Sequence, residues 1–131
     1  VEEAVATELV KFEGVALAIS STAMTEGRLP DTPLMRSVLN NYNPRRSGEI
    51  YVVFQPNWFI NDFDGLAVAV THGSPWRYDT FVPVIFAGAG LKPQKIYREV
   101  HTVDVAPTLS AAAGTKPPSG TRGKVLVEVM K

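Results

Sequence analysis

The sequence of 131 residues has no cysteine. Disulfide bonds, thiolate nucleophiles and thiolate metal sites are therefore excluded for this chain, although the absence of cysteine identifies no cellular compartment. Histidine is also scarce, since the sequence contains two, His72 and His101. Because a catalytic zinc needs about three protein ligands, the sequence offers part of a metal site rather than a complete one.

The sequence also lacks an excess of charge of either sign and any long apolar run. Thirteen basic residues balance thirteen acidic ones, so no overall field favours nucleic acid or an anionic membrane, and we expect no nucleic-acid partner. The longest apolar stretch, residues 82–91, contains Pro83 and is far shorter than the ~20 residues that span a bilayer. We therefore expect no membrane span.

The start of the chain suggests a piece of a larger protein. Val1 is not a start methionine, and no basic-then-apolar signal pattern follows it, so we expect a processed or excised piece. No repeat or linker divides the sequence, and its length suits one domain over residues 1–131.

Local patterns predict helices alternating with strands. Helical spacing predicts a helix over residues 1–12, a second that starts at Pro33 after the N-cap Thr32, and a third over residues 102–113 with Gly114 as its cap. Short apolar runs predict strands at residues 15–19, 50–54, 66–70, 82–86 and 125–129. The alternation predicts an α/β fold in which helices cover a layered, mixed or largely parallel sheet.

The main candidate site is the loop Thr71-His72-Gly73-Ser74-Pro75 between two of the predicted strands. Neutral imidazole is the commonest protein metal ligand, so His72 is a candidate zinc ligand; the alternative is a loop histidine bonded to backbone. Asp79 or a loop carbonyl would then accept a hydrogen bond from its second ring nitrogen. Gly73 allows close approach of the backbone, and Tyr78 suits a pocket rim. Each also has a structural interpretation, as a turn or core residue.

Other polar groups favour structural roles. Asn61, Asp62 and Asp64 are crowded like an oxygen-rich metal loop, but the spacing of a calcium loop is missing, so a solvated loop is the better interpretation. His101 lies at a predicted helix start, and Asp104 in the first turn suits the helix dipole. No hydroxyl has a nearby base to activate it, so no catalytic residue is predicted.

Four segments together resemble the C-terminal portion of the alkaline phosphatase superfamily. They are Arg46-Ser47-Gly48-Glu49-Ile50, Gln55-Pro56-Asn57-Trp58, the His72 loop with Tyr78-Asp79-Thr80-Phe81-Val82-Pro83, and Val103-Asp104-Val105-Ala106-Pro107-Thr108-Leu109. The most similar branch is that of the bacterial alkaline phosphatases related to nucleotide pyrophosphatases and type I phosphodiesterases.

The resemblance implies a secreted or periplasmic enzyme with two zinc ions. In that family a Thr or Ser attacks phosphorus, and the covalent phospho-enzyme is then hydrolysed by zinc-activated water. His72 matches the histidine that completes the ligand shell of one zinc. The nucleophile, the other zinc ligands and the phosphate-gripping side chains have no counterpart in this sequence.

Two hypotheses follow for the function. In the first, the chain is the C-terminal fragment of a zinc-dependent phosphomonoesterase or phosphodiesterase, supplies one metal-ligand histidine, and is inactive alone. Its partners are then the missing N-terminal part and a phosphate ester, and uncovered apolar strands such as residues 50–54 lead us to expect self-association. The alternative is a non-catalytic binding module that retains the scaffold without the chemistry.

Overall fold

The chain forms two compact units, Val1–Val82 and Pro83–Lys131. The structure is a computed structural model, and it describes residues 1–63, 66–67 and 70–130. Among these residues no helix is long and apolar enough to cross a membrane. The boundary between the units carries no linker signal in the sequence, and the single-domain organisation of residues 1–131 stays a prediction.

Short helices surround the sheet of the first unit. They are α1 (Glu2–Leu9), α2 (Ser21–Thr25), α3 (Pro33–Asn41) and α4 (Arg77–Thr80). The start of α3 is confirmed: the Thr32 hydroxyl accepts a hydrogen bond from the Met35 amide at 3.2 Å, and Pro33 occupies the first turn, where its missing N–H costs nothing. The predicted N-terminal helix is also confirmed, although it ends at Leu9. Neither α2 nor α4 was predicted, because five and four residues are too few to show a helical period.

The sheet of the first unit pairs two predicted strands. β1 (Val15–Ser20) lies antiparallel to β2 (Ile50–Phe54), with a register irregularity near the start of β1. A second antiparallel pair joins β3 (Asp62–Phe63) to β4 (Leu66–Ala67). Strands and helices in one chain confirm the coarse α/β composition. The layered, mixed or largely parallel sheet stays a prediction, because the described pairs are both antiparallel.

Two sequence predictions fall partly on residues that the structure leaves out. Leu66–Ala67 confirms the start of the strand predicted at residues 66–70, whereas Val68 and Ala69 lie outside the described residues. Asp64, the last of the three polar residues interpreted as a solvated loop, also lies outside them. Asp62, by contrast, belongs to β3.

The core of the first unit lies between the β1–β2 pair and the helices α2 and α3. Its buried members are Ile19, Met24, Met35, Val38 and Val53. Full burial of a side chain of this size contributes about 1.5 to 3 kcal/mol, so these residues hold β2 firmly against α3. Trp76 packs on the same cluster, which connects the segment after the histidine loop to the core.

The second unit is built around one helix. A 3₁₀ turn at Thr102–Asp104 leads into α5 (Val105–Ala112), and Gly114 follows in the left-handed conformation with φ of 65°. The predicted helix and its glycine cap are therefore confirmed. A second 3₁₀ turn, Val127–Met130, lies near the end of the chain.

The strand predicted at residues 82–86 is wrong. These residues form no strand, and the Ile85 side chain is 81% exposed. A strand needs a partner that bonds its amides and carbonyls, and Pro83 has no amide to offer. The apolar composition alone therefore misled the prediction.

The strand predicted at residues 125–129 is also wrong. Leu126 is buried, as expected for a core strand, but its amide donates to the Thr108 hydroxyl at 2.9 Å. The Lys124 amide donates in the same way to the Asp104 carboxylate at 2.7 Å. Side chains of the helix thus satisfy amides that a neighbouring strand would otherwise bond, and the chain then coils into the 3₁₀ turn.

Candidate functional site

A cleft of about 480 Å³ opens in the first unit beside His72. β2, the turn that follows it, the histidine loop and α4 form its walls. The lining residues are Tyr51, Val52, Val53, Phe54, Asn57, Trp58, Phe59, Ile60, Val70, Thr71, His72, Gly73, Ser74, Pro75, Tyr78 and Asp79. The His72 side chain is exposed, so its imidazole is accessible to a ligand.

The histidine loop is closed by a hydrogen bond from its own backbone. The Ser74 amide donates to Asp79 Oδ2 at 2.8 Å, and Asp79 is half-buried in α4. The pKa of the Asp79 carboxyl is lowered, first by the Ser74 hydroxyl and then by the Ser74 amide, with smaller contributions from the Gly73 amide and His72; partial desolvation opposes them. Asp79 is therefore a charged anchor for the loop.

The Ser74 hydroxyl, unlike the Ser74 amide, has no hydrogen-bond partner among the described residues. It lies near enough to the Asp79 carboxylate to lower its pKa, although the two groups are not in hydrogen-bonding geometry. This buried Oγ atom therefore has unused capacity to bond a further polar group.

Side chains around α4 attach the loop to the end of β2. The Trp76 indole N–H donates to the Phe54 carbonyl at 2.8 Å, and the Tyr78 hydroxyl accepts from the Asn57 amide at 3.1 Å. Gly73 has φ of 104°, a backbone conformation that favours glycine. The position of the His72 loop is thus set by hydrogen bonds of the following residues to Phe54 and Asn57, and the sequence did not indicate these partners.

The turn after β2 is fixed on its other side by a close contact. Asn57 adopts φ of 67°, which asparagine tolerates better than most residues. The Trp58 ring lies against Gly14, where an added Cβ would come within 2.1 Å of Trp58 Cε3. The Pro56-Asn57 pair is a turn signal, but nothing in the sequence connects Trp58 with Gly14.

The available ligands fit one part of a zinc site and no more. In the ranges that the structure describes, no group of three or more His, Cys, Asp or Glu side chains is placed to hold a metal ion. His72 is able to offer one ring nitrogen, whereas Asp79 is engaged by Ser74. No hydrogen bond joins His72 to Asp79 among the described residues. His72 therefore suits a site that other residues complete.

His101 lies elsewhere, in the second unit, at the entry to the helix. Its backbone amide donates to Asp104 Oδ2 at 2.9 Å. Asp104 is buried, and its pKa is lowered first by the Lys124 amide and then by the His101 amide. The interpretation of Asp104 through the helix dipole was incomplete, since its carboxylate binds two specific backbone amides.

Thr108 completes the same structural group. Its hydroxyl donates to the Asp104 carbonyl at 2.6 Å and accepts from the Leu126 amide at 2.9 Å, and the side chain is fully buried. Asp104 in the 3₁₀ turn and Thr108 in α5 each accept a hydrogen bond from a backbone amide of the segment 124–126. These bonds explain why two polar residues occur in an otherwise apolar segment. The separation of four positions was the sequence signal that could have indicated this group.

Comparisons with known proteins place the chain in a family, although no protein-family model matches it. It is 35% identical over 123 residues to a calcium-transporting ATPase of Myroides odoratus, covering 94% of this chain and 22% of that protein. It is 34% identical to the alkaline phosphatase PhoV of Synechococcus elongatus, with the same coverage. It is 32% identical over 131 residues to the alkaline phosphatase PafA of Elizabethkingia meningoseptica, covering 99% of this chain and 23% of that protein.

A solved structure agrees with these relatives. The crystal structure of wild-type PafA matches with a TM-score of 0.82 and 31% identity, covering 99% of this chain and 24% of that one. The chain belongs to the alkaline phosphatase superfamily. The superfamily resemblance of the four sequence segments is thereby confirmed, and the structure matches the alkaline phosphatase fold. The chain spans only 22% to 24% of the length of these superfamily members.

Proposed function

We propose that this chain is the C-terminal part of a zinc-dependent phosphoric ester hydrolase, in which His72 is one zinc ligand. The observation that carries the proposal is the exposed His72 imidazole at a cleft, on a loop anchored by Asp79 and Ser74. Two of the three relatives named above, PhoV and PafA, are alkaline phosphatases, and the matched crystal structure is that of PafA, which supports a phosphate ester as substrate.

Within this proposal the described residues have distinct tasks. His72 supplies one nitrogen ligand, Asp79 holds the ligand loop through the Ser74 amide, and Gly73 and Tyr78 shape the loop and the adjoining rim. Bound zinc would stabilise charge on the phosphoryl oxygens and lower the pKa of a bound water. We assign the second zinc, the remaining ligands and a Thr or Ser nucleophile that becomes phosphorylated to the rest of the protein. The enzyme would act in the periplasm or outside the cell.

A second candidate function is a non-catalytic binding module. It is favoured by the lack of a complete group of metal ligands in the part of the chain that the structure describes. The two candidates differ in what the parent protein contains. An upstream region with a Thr or Ser nucleophile and an Asp-x-x-x-His segment supports the hydrolase, whereas a start codon directly before Val1 supports the module.

The decisive experiment measures zinc content and aryl phosphate hydrolysis in the full-length protein, for wild type, His72→Ala and the control His101→Ala. Loss of outer-shell residues commonly costs 10- to 100-fold in metal affinity or activity, so removal of a direct ligand should lower the rate by more than about 100-fold. The control should retain zinc and activity. Unchanged zinc and rate in His72→Ala would remove the central assignment.

The isolated chain of 131 residues provides a further test. We expect negligible hydrolysis of an aryl phosphate and a tendency to self-associate, because large apolar side chains such as Phe12, Phe81 and Tyr97 are exposed. Rapid hydrolysis that a chelator abolishes would show that the chain carries a whole active site. A strictly monomeric state in sedimentation would contradict the expected self-association.

A further inference from the structure

The cleft beside His72 has an apolar wall that supplies no zinc ligand in the proposed function. Trp58, Ile60 and Tyr78 line it, and their side chains are 46%, 53% and 53% exposed. Exposed apolar groups are unremarkable when scattered, but several that line one cleft are typical of a ligand-binding surface. This wall adjoins the residue that we assign to zinc.

The wall is held in place before any ligand binds. Tyr78 is fixed by the hydrogen bond that its hydroxyl accepts from the Asn57 amide, and the Trp58 ring rests on Gly14. The Trp58 amide also donates to the Gln55 carbonyl at 3.0 Å. Because these side chains are already ordered, little conformational entropy remains to be lost on binding.

The charges of the cleft restrict what the wall can bind. Its described lining residues include one acidic side chain, Asp79, and one histidine, His72, and none of them is Lys or Arg. A diphosphate or triphosphate chain would require cationic side chains along its length. An uncharged apolar group, by contrast, needs no charged partner in this part of the cleft.

We propose that Trp58, Ile60 and Tyr78 form a subsite for an apolar, preferably aromatic, leaving group of the phosphate ester. The proposal rests on the proposed function, because a zinc ion held in part by His72 would bring the phosphoryl group to the cleft that these three residues line. An aromatic leaving group would lie against Trp58 and Tyr78 through ring contacts, while Ile60 adds apolar area. The subsite therefore selects aryl esters over small alkyl esters.

The test compares phenyl phosphate with methyl phosphate on the full-length protein. Both esters share the phosphoryl group, so the ratio of their kcat/KM values depends on the leaving group. The two esters differ in intrinsic reactivity, but this difference is the same for every variant. A change in the ratio between variants therefore measures the contribution of the substituted residue. Trp58→Leu should lower the phenyl-to-methyl ratio about three- to tenfold, the range expected for one aromatic contact. Ile60→Ala should lower it less, and the control Phe12→Leu changes an exposed aromatic residue that does not line the cleft.

A binding measurement separates the subsite from catalysis. Phenylphosphonate and methylphosphonate cannot be hydrolysed by phosphorus–oxygen cleavage, so calorimetry gives their dissociation constants directly. Wild type should bind phenylphosphonate more tightly, and Trp58→Leu should lose most of this preference. Equal affinity for the two phosphonates in wild type would overturn the subsite.

The remaining outcomes distinguish failure of the subsite from failure of the hydrolase. Hydrolysis of both esters with the same ratio in wild type, Trp58→Leu and Ile60→Ala overturns the subsite and leaves the hydrolase intact. Hydrolysis of neither ester by wild type overturns both. If Trp58→Leu fails to fold because it loses the contact with Gly14, the exposed Ile60 still decides the result, and an unchanged ratio in Ile60→Ala counts against the subsite.

Discussion

The Asp79 carboxylate accepts a hydrogen bond from the Ser74 amide at 2.8 Å and so closes the loop that contains His72. This bond spans five positions, and Trp76, which lies between them in the sequence, donates its indole N–H to the carbonyl of Phe54 in β2. The candidate ligand His72 therefore lies on a loop, and the segment that follows this loop is bonded to the core strand β2. A change in these anchors should alter the position of His72 without removing its imidazole.

The first prediction concerns Asp79→Asn. The amide oxygen can still accept from Ser74, but the negative charge that strengthens the bond is lost. In the full-length protein we expect zinc affinity, measured by chelator competition, to fall about tenfold, the smaller of the losses seen when a group that orients a metal ligand is removed. Asp31→Asn is the matched control, since Asp31 forms a surface ion pair with Arg36 at 2.5 Å. Equal zinc affinity in both variants would show that the anchor does not act on the metal.

The second prediction is an acid sensitivity of the second unit. The Asp104 pKa lies below its ordinary value of 3.8 because the Lys124 and His101 amides favour the charged carboxylate. A lowered pKa means that the stabilisation is fully present above the ordinary value and is lost as the pH falls through the lower folded value. Amide exchange at Lys124, corrected for its intrinsic rate, should therefore stay slow at neutral pH and accelerate only below 3.8.

An Asp104→Asn variant tests the origin of this effect. At neutral pH it should exchange the Lys124 amide faster than wild type, and the difference should shrink as the pH falls below 3.8. Glu99→Gln provides a control in an exposed carboxylate of the same unit. A difference that is constant across the whole pH range would exclude the carboxylate charge as its cause.

The third prediction concerns the buried hydroxyl of Thr108. Thr108→Val keeps the shape but leaves the Leu126 amide without its acceptor, so we expect a loss of about 1 to 3 kcal/mol in the stability of the second unit. Ser110→Ala should cost less than about 0.5 kcal/mol, because its hydroxyl bonds the Ala106 carbonyl at an exposed position. Amide exchange at Leu126 measures both, and similar exchange in the two variants would contradict the prediction.

The fourth prediction compares two glycines with positive φ. Alanine should cost about 1 to 2 kcal/mol at either position through the backbone alone, since Gly14 has φ of 83° and Gly27 has φ of 67°. Gly14→Ala must also displace the Trp58 ring, whereas nothing lies within 4 Å of a Cβ at Gly27. The melting temperature and near-ultraviolet circular dichroism should change more in Gly14→Ala. Equal changes would mean that Trp58 moves without cost.

The predictable parts of the fold are those that depend on neighbouring residues. β1, β2 and α3 carry their signals within a few positions, such as Thr32 before Pro33, and the sequence located all three. The strand predicted at residues 125–129 failed because Asp104 and Thr108, rather than a strand, bond the amides of that segment. The strand predicted at residues 82–86 failed because apolar composition does not supply a pairing partner.

The candidate site was also predictable only in part, because the contacts that fix it join residues far apart in the sequence. The loop position of His72 between two predicted strands singled it out, and the family resemblance strengthened that prediction. Gly73, Tyr78 and Asp79, which were predicted as pocket residues, line the same cleft, and their roles stay predictions. The contacts that fix the loop join Tyr78 to Asn57 and Trp76 to Phe54, over 21 and 22 positions. No local pattern encodes such a pairing.

The pairing of Asp104 with Lys124 and of Thr108 with Leu126 also has a consequence for the order of folding. The helix needs only contacts within one or two turns, whereas these two bonds close loops of 20 and 18 positions, which takes longer and costs more chain entropy. During synthesis, α5 leaves the ribosome before its partners exist. The segment that contains Lys124 and Leu126 should therefore dock after α5 has formed, and its amides then bond the side chains of Asp104 and Thr108.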